Sequence, residues 1–166
     1  QGEMYITDGA QFEAGWLGMR NNTSSTCSGF LSVDGVGSKV TAASGFSIGY
    51  AGSAGVVRSQ VEVTNGGSIV STNISIGYGS NSNATVLVDG AGSSLNAVNL
   101  VVARYDRGVL TITNDGLVKV SGLLSMNIWG SLDSGFIEMA SGGKLALYGN
   151  GSADLGAFFA MMASSE

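Results

Sequence analysis

One short phrase recurs along the chain and limits what it can fold into. Val33-Asp34-Gly35-Val36-Gly37-Ser38 returns as Val88-Asp89-Gly90-Ala91-Gly92-Ser93. Looser copies are Ile6-Thr7-Asp8-Gly9, Val63-Thr64-Asn65-Gly66-Gly67-Ser68, Ile112-Thr113-Asn114-Asp115-Gly116 and Met139-Ala140-Ser141-Gly142-Gly143. Each copy ends a short run of alternating apolar residues, makes a turn and opens a second run. Asp, Asn and Gly at the turn supply the positive φ values that most side chains resist. The structural turn residues are therefore Asp34, Gly35, Gly37, Asn65, Gly66, Asp89, Gly90, Gly92, Gly116 and Gly142. Six copies of one strand–turn–strand unit make a repeat protein.

Taking Ile6, Val33, Val63, Val88, Ile112 and Met139 as anchors, the copies fall 24 to 30 residues apart. So loose a period suits a solenoid with variable loops along one side better than a helical array. Three runs align within each period. The first carries the pairs Met4/Ile6, Leu31/Val33, Val61/Val63, Val86/Val88, Leu110/Ile112 and Ile137/Met139. The second carries Phe12/Ala14, Val40/Ala42, Ile69/Ser71, Leu95/Ala97, Val118/Val120 and Leu145/Leu147. The third carries Leu17/Met19, Phe46/Ile48, Ile74/Ile76, Leu100/Val102 and Leu124/Met126. Period-two alternation of branched residues means strands with one buried face. The pattern predicts an all-β, single-domain parallel β-helix over residues 1–152. It has about six coils of three short strands, is right-handed, and stands on the order of 25–30 Å tall. Loops are expected at 20–29, 50–60, 78–84, 103–108 and 127–135.

Residues 153–166 leave the repeat. Leu155, Phe158, Phe159 and Met162 fall at helical spacing, with Ser152 or Asp154 placed to cap the start. This C-terminal tail is expected either to cap the last coil or to dock on another subunit.

The repeats carry a resemblance. Ile76-Gly77-Tyr78-Gly79, Val88 to Leu95 and Gly108 to Gly116 are similar to the repeats of bacterial autotransporter passenger domains and related exported surface proteins, over residues 4 to about 147. The resemblance implies a parallel β-helix working outside the cell, and for many such passengers adhesion. No translocator barrel follows the repeats here, so a free exported repeat protein is the expectation. A start at Gln1 with no basic–apolar leader fits a terminus left by signal cleavage, and fits a trimmed sequence equally.

Composition narrows the chemistry. Charged residues are 11% of the chain and the net charge is −5, a poor match to nucleic acid. No apolar run reaches the roughly 18 residues of a membrane helix. There is no His, which removes most catalytic triads and the commonest zinc ligand. Cys27 is the one cysteine and reads as a small, partly buried residue. Asp8, Asp34, Asp89 and Asp115 suggest a carboxylate row, but each sits in a turn where its side chain bonds nearby backbone. No catalytic residue, cofactor or metal is expected. Gly-Ala-Gly-Ser lacks the Lys and helix of a phosphate loop. Thr111 and Thr113 form one isolated Thr-x-Thr, whereas an ice-binding face repeats it in every coil. Tyr50, Tyr78, Tyr105 and Trp129 recur just past the third run, as a corner ladder of packed rings or as a sugar platform. Asn21, Asn22, Asn73, Asn83 and Asn150 sit in glycosylation sequons.

The expected function is a non-catalytic exported structural subunit that self-assembles head to tail into a filament or surface layer. The alternative is an adhesin-like module that recognises a surface or glycan through the loops after the third run.

Overall fold

The computed structural model describes residues 1–21, 26–51, 56–126 and 135–149, and they form a parallel β-solenoid. The first runs of the six repeats are β1 (Gly2–Ile6), β3 (Cys27–Asp34), β5 (Val57–Thr64), β7 (Ser82–Asp89), β9 (Arg107–Thr113) and β12 (Gly135–Met139). They pair in that order as one six-stranded parallel sheet. The second sheet stacks β2 (Gln11–Asn21), β4 (Lys39–Ala51), β6 (Ser68–Ile76), β8 (Ser94–Val102), β10 (Leu117–Val120) and β13 (Lys144–Leu147). There β11 (Leu124–Met126) pairs with the end of β8.

All three predicted ladders occur in register. Ile6, Val33, Val63, Val88, Ile112 and Met139 form one column of the first sheet. Phe12, Val40, Ile69, Leu95, Val118 and Leu145 form another, on the second. Leu17, Phe46, Ile74, Leu100 and Leu124 form the third. The middle of each column is fully buried, with Val33, Val63, Ile69, Ile74, Leu95, Leu100 and Ile112 each at 0% exposure. Burying one such side chain stabilises the fold by about 1.5–3 kcal/mol, so the stack of columns is the main source of stability. Burial falls off toward both ends, where Met4, Phe12, Ile137, Leu145 and Leu147 are only partly covered.

Two details differ from the expectation. The second and third runs are one strand in β2, β4, β6 and β8, irregular in register between Ala14 and Trp16 and between Ala42 and Phe46. They part into separate strands only at β10 and β11. The bend between them is the second corner of the coil. The loops are also shorter than expected, because the first runs start earlier, at Cys27, Val57, Ser82 and Arg107. Their early inward positions form a column of small residues, Gly2, Gly29, Ser59, Ala84, Gly108 and Gly135. At Gly108 small size is required, because the third corner runs directly against it. A Cβ on Gly108 would lie 2.6 Å from Ala103 N and 2.9 Å from Ile76 O. The column lacks large apolar residues, so it reads as loop.

A row of polar side chains seals the second corner. Asn73 Nδ2 donates to Ser44 O at 2.9 Å, Asn99 Nδ2 donates to Asn73 Oδ1 at 2.9 Å, and Leu123 N donates to Asn99 Oδ1 at 3.1 Å. Asn99 thus links three coils, giving and receiving one bond each. Asn99→Ala breaks both links, and since both are reached by solvent it should cost about 0.5–1.5 kcal/mol in chemical denaturation.

Candidate functional site

The turn residues singled out in the sequence all lie at the first corner, between the two sheets, and they build two alternating turns. In coils one, three, five and six the central pair has positive φ throughout: Asp8/Gly9, Asn65/Gly66, Asn114/Asp115 and Ser141/Gly142. Each pair is closed by a backbone bond from the residue after it to the residue before it, as in Ala10 N to Thr7 O and Gly116 N to Thr113 O, both 2.9 Å. This is the type I′ pattern. Coils two and four carry one more residue. There Gly37 and Gly92 have positive φ, and Ser38 N and Ser93 N donate to Gly35 O and Gly90 O at 3.1 Å, a type II pattern. The serines tie the two kinds together: Gly9 N donates to Ser38 Oγ and Gly66 N to Ser93 Oγ, each at 3.0 Å.

Gly116 requires a correction. It is not a positive-φ residue like the other turn glycines. Its lack of a side chain is needed for space, since a Cβ there would lie 2.3 Å from Val88 O of the coil before. Gly67 and Gly143 stand at the same point of their turns and would meet Val33 O and Ile112 O at 2.2 Å.

The carboxylates at this corner bond side chains, not the nearby backbone expected: Asp8 Oδ2 accepts from Thr7 Oγ1 of its own coil at 3.3 Å, and the other three are engaged by neighbouring coils. Asp34 Oδ1 accepts from Thr64 Oγ1 at 2.6 Å and from Asn65 Nδ2 at 2.7 Å. Asp89 Oδ1 accepts from Asn114 Nδ2 at 2.6 Å, and Asp115 Oδ1 accepts from Lys144 Nζ at 2.9 Å. Hydrogen bonds from Thr64 first and Asn65 second hold the Asp34 carboxyl below its ordinary range. That direction keeps Asp34 ionised, the reverse of what a general acid at neutral pH needs. The row works as inter-coil bonding.

The aromatic residues meet at the third corner. Tyr50 and Tyr78 stack with ring centroids 5.1 Å apart and planes 27° apart. Tyr105 meets Tyr78 edge-on at 5.9 Å and 79°. The Arg104 guanidinium carbon lies 5.0 Å from the Tyr78 ring centroid and 5.8 Å from that of Tyr105. Trp129, the fourth expected member, lies outside the described residues. The corner backbone turns through positive φ at Gly49, Gly77 and Ala103, which sets each ring above the last. Tyr50, Tyr78, Gly79, Ser80 and Tyr105 line a shallow cleft of about 260 Å³. Tyr105 is 42% exposed, the most open of the three rings. The corner therefore combines a packed ladder with one exposed ring and a cation beside it. Arg104 is not among the residues singled out in the sequence; its position next to Tyr105, two residues past the third-run apolar pair Leu100/Val102, is the available signal.

The remaining expectations are placed as follows. Cys27 opens β3, half-buried, with a free thiol. Asn73 belongs to the second-corner row, while Asn83 is exposed on the outward face of β7. Asn21 is the last residue of β2, and Asn22 and Asn150 lie outside the described residues. So does the whole tail, with Leu155, Phe158, Phe159 and Met162.

Comparison with protein-family models, with curated protein sequences and with solved structures found no match.

Proposed function

We propose that the chain is a non-catalytic, exported β-solenoid that serves as a binding module, recognising a surface glycan at its third corner. The observation that carries this reading is the row of Tyr50, Tyr78 and Tyr105 with Arg104 among them. The third corner has connecting segments that vary in length from coil to coil, and it presents an exposed ring beside a guanidinium. An aromatic face offers a stacking surface to the C–H side of a sugar ring, and Arg104 adds a cation suited to an acidic sugar. Work outside the cell is what the likeness to passenger-domain repeats implies. A non-catalytic role is in keeping with carboxylates engaged between coils and, in Asp34, held ionised.

The test is binding of the full chain to a panel of neutral and acidic oligosaccharides by calorimetry. An acidic ligand is expected to bind, and Tyr105→Ala and Arg104→Ala should each weaken it at least about tenfold, roughly 1.4 kcal/mol, with the far-ultraviolet circular dichroism spectrum of the glycan-free protein unchanged. Equal binding by the wild type and both variants would remove the third corner from the account.

A second reading, a subunit that polymerises head to tail, has the shape of the two end coils in its favour. Strands β1 and β12 are both five residues long and alternate alike, with Met4/Ile6 and Ile137/Met139 turned inward. Against it stands a single residue at the first corner, Ala10.

A further inference from the structure

We propose that Ala10 is a stop that keeps the first coil from accepting a second copy of this chain on its free edge. The inference is independent of the glycan reading. It begins from the equivalence of four turn positions. Ala10, Gly67, Gly116 and Gly143 each follow a pair of positive-φ residues, and each donates its N–H across the turn at 2.9 Å. In the first three, the carbonyl then accepts from the next coil: Lys39 N to Ala10 O, Ser94 N to Gly67 O and Lys144 N to Gly116 O, all at 2.9 Å. By backbone geometry they are one position of the repeat.

They differ in what lies on their other side. Gly67, Gly116 and Gly143 each have a preceding coil, and in each a Cβ would be driven to 2.2 or 2.3 Å from a carbonyl oxygen of that coil. No Cβ occupies such a distance, so a coil with this turn can stack on another only if the position is glycine. Ala10 has no described coil on that side, and it is exposed. It carries the methyl group that the stacked positions exclude.

The consequence follows for two copies. To extend the solenoid, β12 of one copy would pair with β1 of the next, and β13 with β2, continuing the columns. Met139 would then stand to Ala10 as Ile112 stands to Gly143. The Ala10 methyl would strike the Met139 carbonyl, and the turn would have to be displaced along with the strands it joins. The end coils are otherwise alike in strand length, alternation and turn type. The tight turn also stacks on its own kind already, between coils five and six, where Asp115 N donates to Ser141 O at 3.2 Å. At this turn the Ala10 methyl therefore closes to stacking an edge that glycine at the same position leaves open. Protection of open sheet edges by a small local feature is the general solution to the same hazard.

The experiment is sedimentation velocity on the full-length wild type, Ala10→Gly and Ala10→Gly/Met139→Lys over a wide concentration range. The wild type should remain a monomer. Ala10→Gly should associate with rising concentration, its average mass passing twice that of the monomer. The double variant, with a charge placed on the facing end where Met139 is 49% exposed, should return to monomer. Wild-type association to the same extent would overturn the proposal. So would an Ala10→Gly chain that stays monomeric while folded, or association that survives Met139→Lys.

Discussion

Gly116→Val is expected to destabilise the protein by about 3 kcal/mol or more, the upper range for overpacking a closed site. The branched Cβ would start 2.3 Å from Val88 O and 3.0 Å from Thr113 O. Neither atom can give way freely. Thr113 O accepts from Gly116 N across the turn at 2.9 Å and from Gly90 N at 3.2 Å, while Val88 lies at the centre of a buried column. The same change at the matching point of the first coil, Ala10→Val, should stay within about 0.5 kcal/mol, because an exposed position away from such contacts tolerates substitution. Urea denaturation of the pair reads the difference directly. Equal losses would mean that the preceding coil is not what excludes a side chain at Gly116, and the stop at Ala10 would lose its basis.

Phe46→Ala is expected to cost about 3–5 kcal/mol, the usual range for removing a buried ring. Phe46 is 1% exposed and is among the largest fully buried side chains. It sits in the third-run column between Leu17 and Ile74. Its neighbours are fixed in their own coils by the parallel ladders, so they cannot close the space. A drop in denaturation midpoint with little change in slope would show a cavity in an intact fold. A loss below about 1 kcal/mol would show that the columns relax far more than stacked strands should.

The inward columns were legible in the sequence because a stacked coil poses one question at each inward position: what lies above and below it. Val33, Val63 and Val88 answer with nearly the same side chain, and period-two alternation fixes which residues face in. The change between six and seven residues from anchor to second run was also visible. It corresponds to the two turn types, with Val33–Val40 and Val88–Leu95 spanning the longer one. The polar and small residues were harder to read. Asn73 and Asn99 look like loop in a chain rich in Asn, Ser and Gly, since a hydrogen bond between coils has no period-two signature. Gly108 and Ala84 look like loop for a related reason, because their role is to leave room for the third corner. Gly116 was assigned to the turn correctly but for the wrong cause: only the distance to Val88 O distinguishes a steric glycine from a positive-φ one. The tyrosines gave the position of the candidate site, while the Arg104 contact that gives it charge depends on how the corner turns at Ala103.

The central claim is that six coils stack in register from one end of the described chain to the other. A distance between its ends tests this most directly. Tyr5 on β1 and Glu138 on β12 are exposed members of one outward column of the first sheet, five strand spacings apart. With spin labels at these two positions and Cys27→Ser to remove the native thiol, double electron–electron resonance should give one narrow distribution near about 24 Å between backbone positions, widened only by the label arms. A broad distribution, or a maximum well away from that distance, would contradict the stacked solenoid.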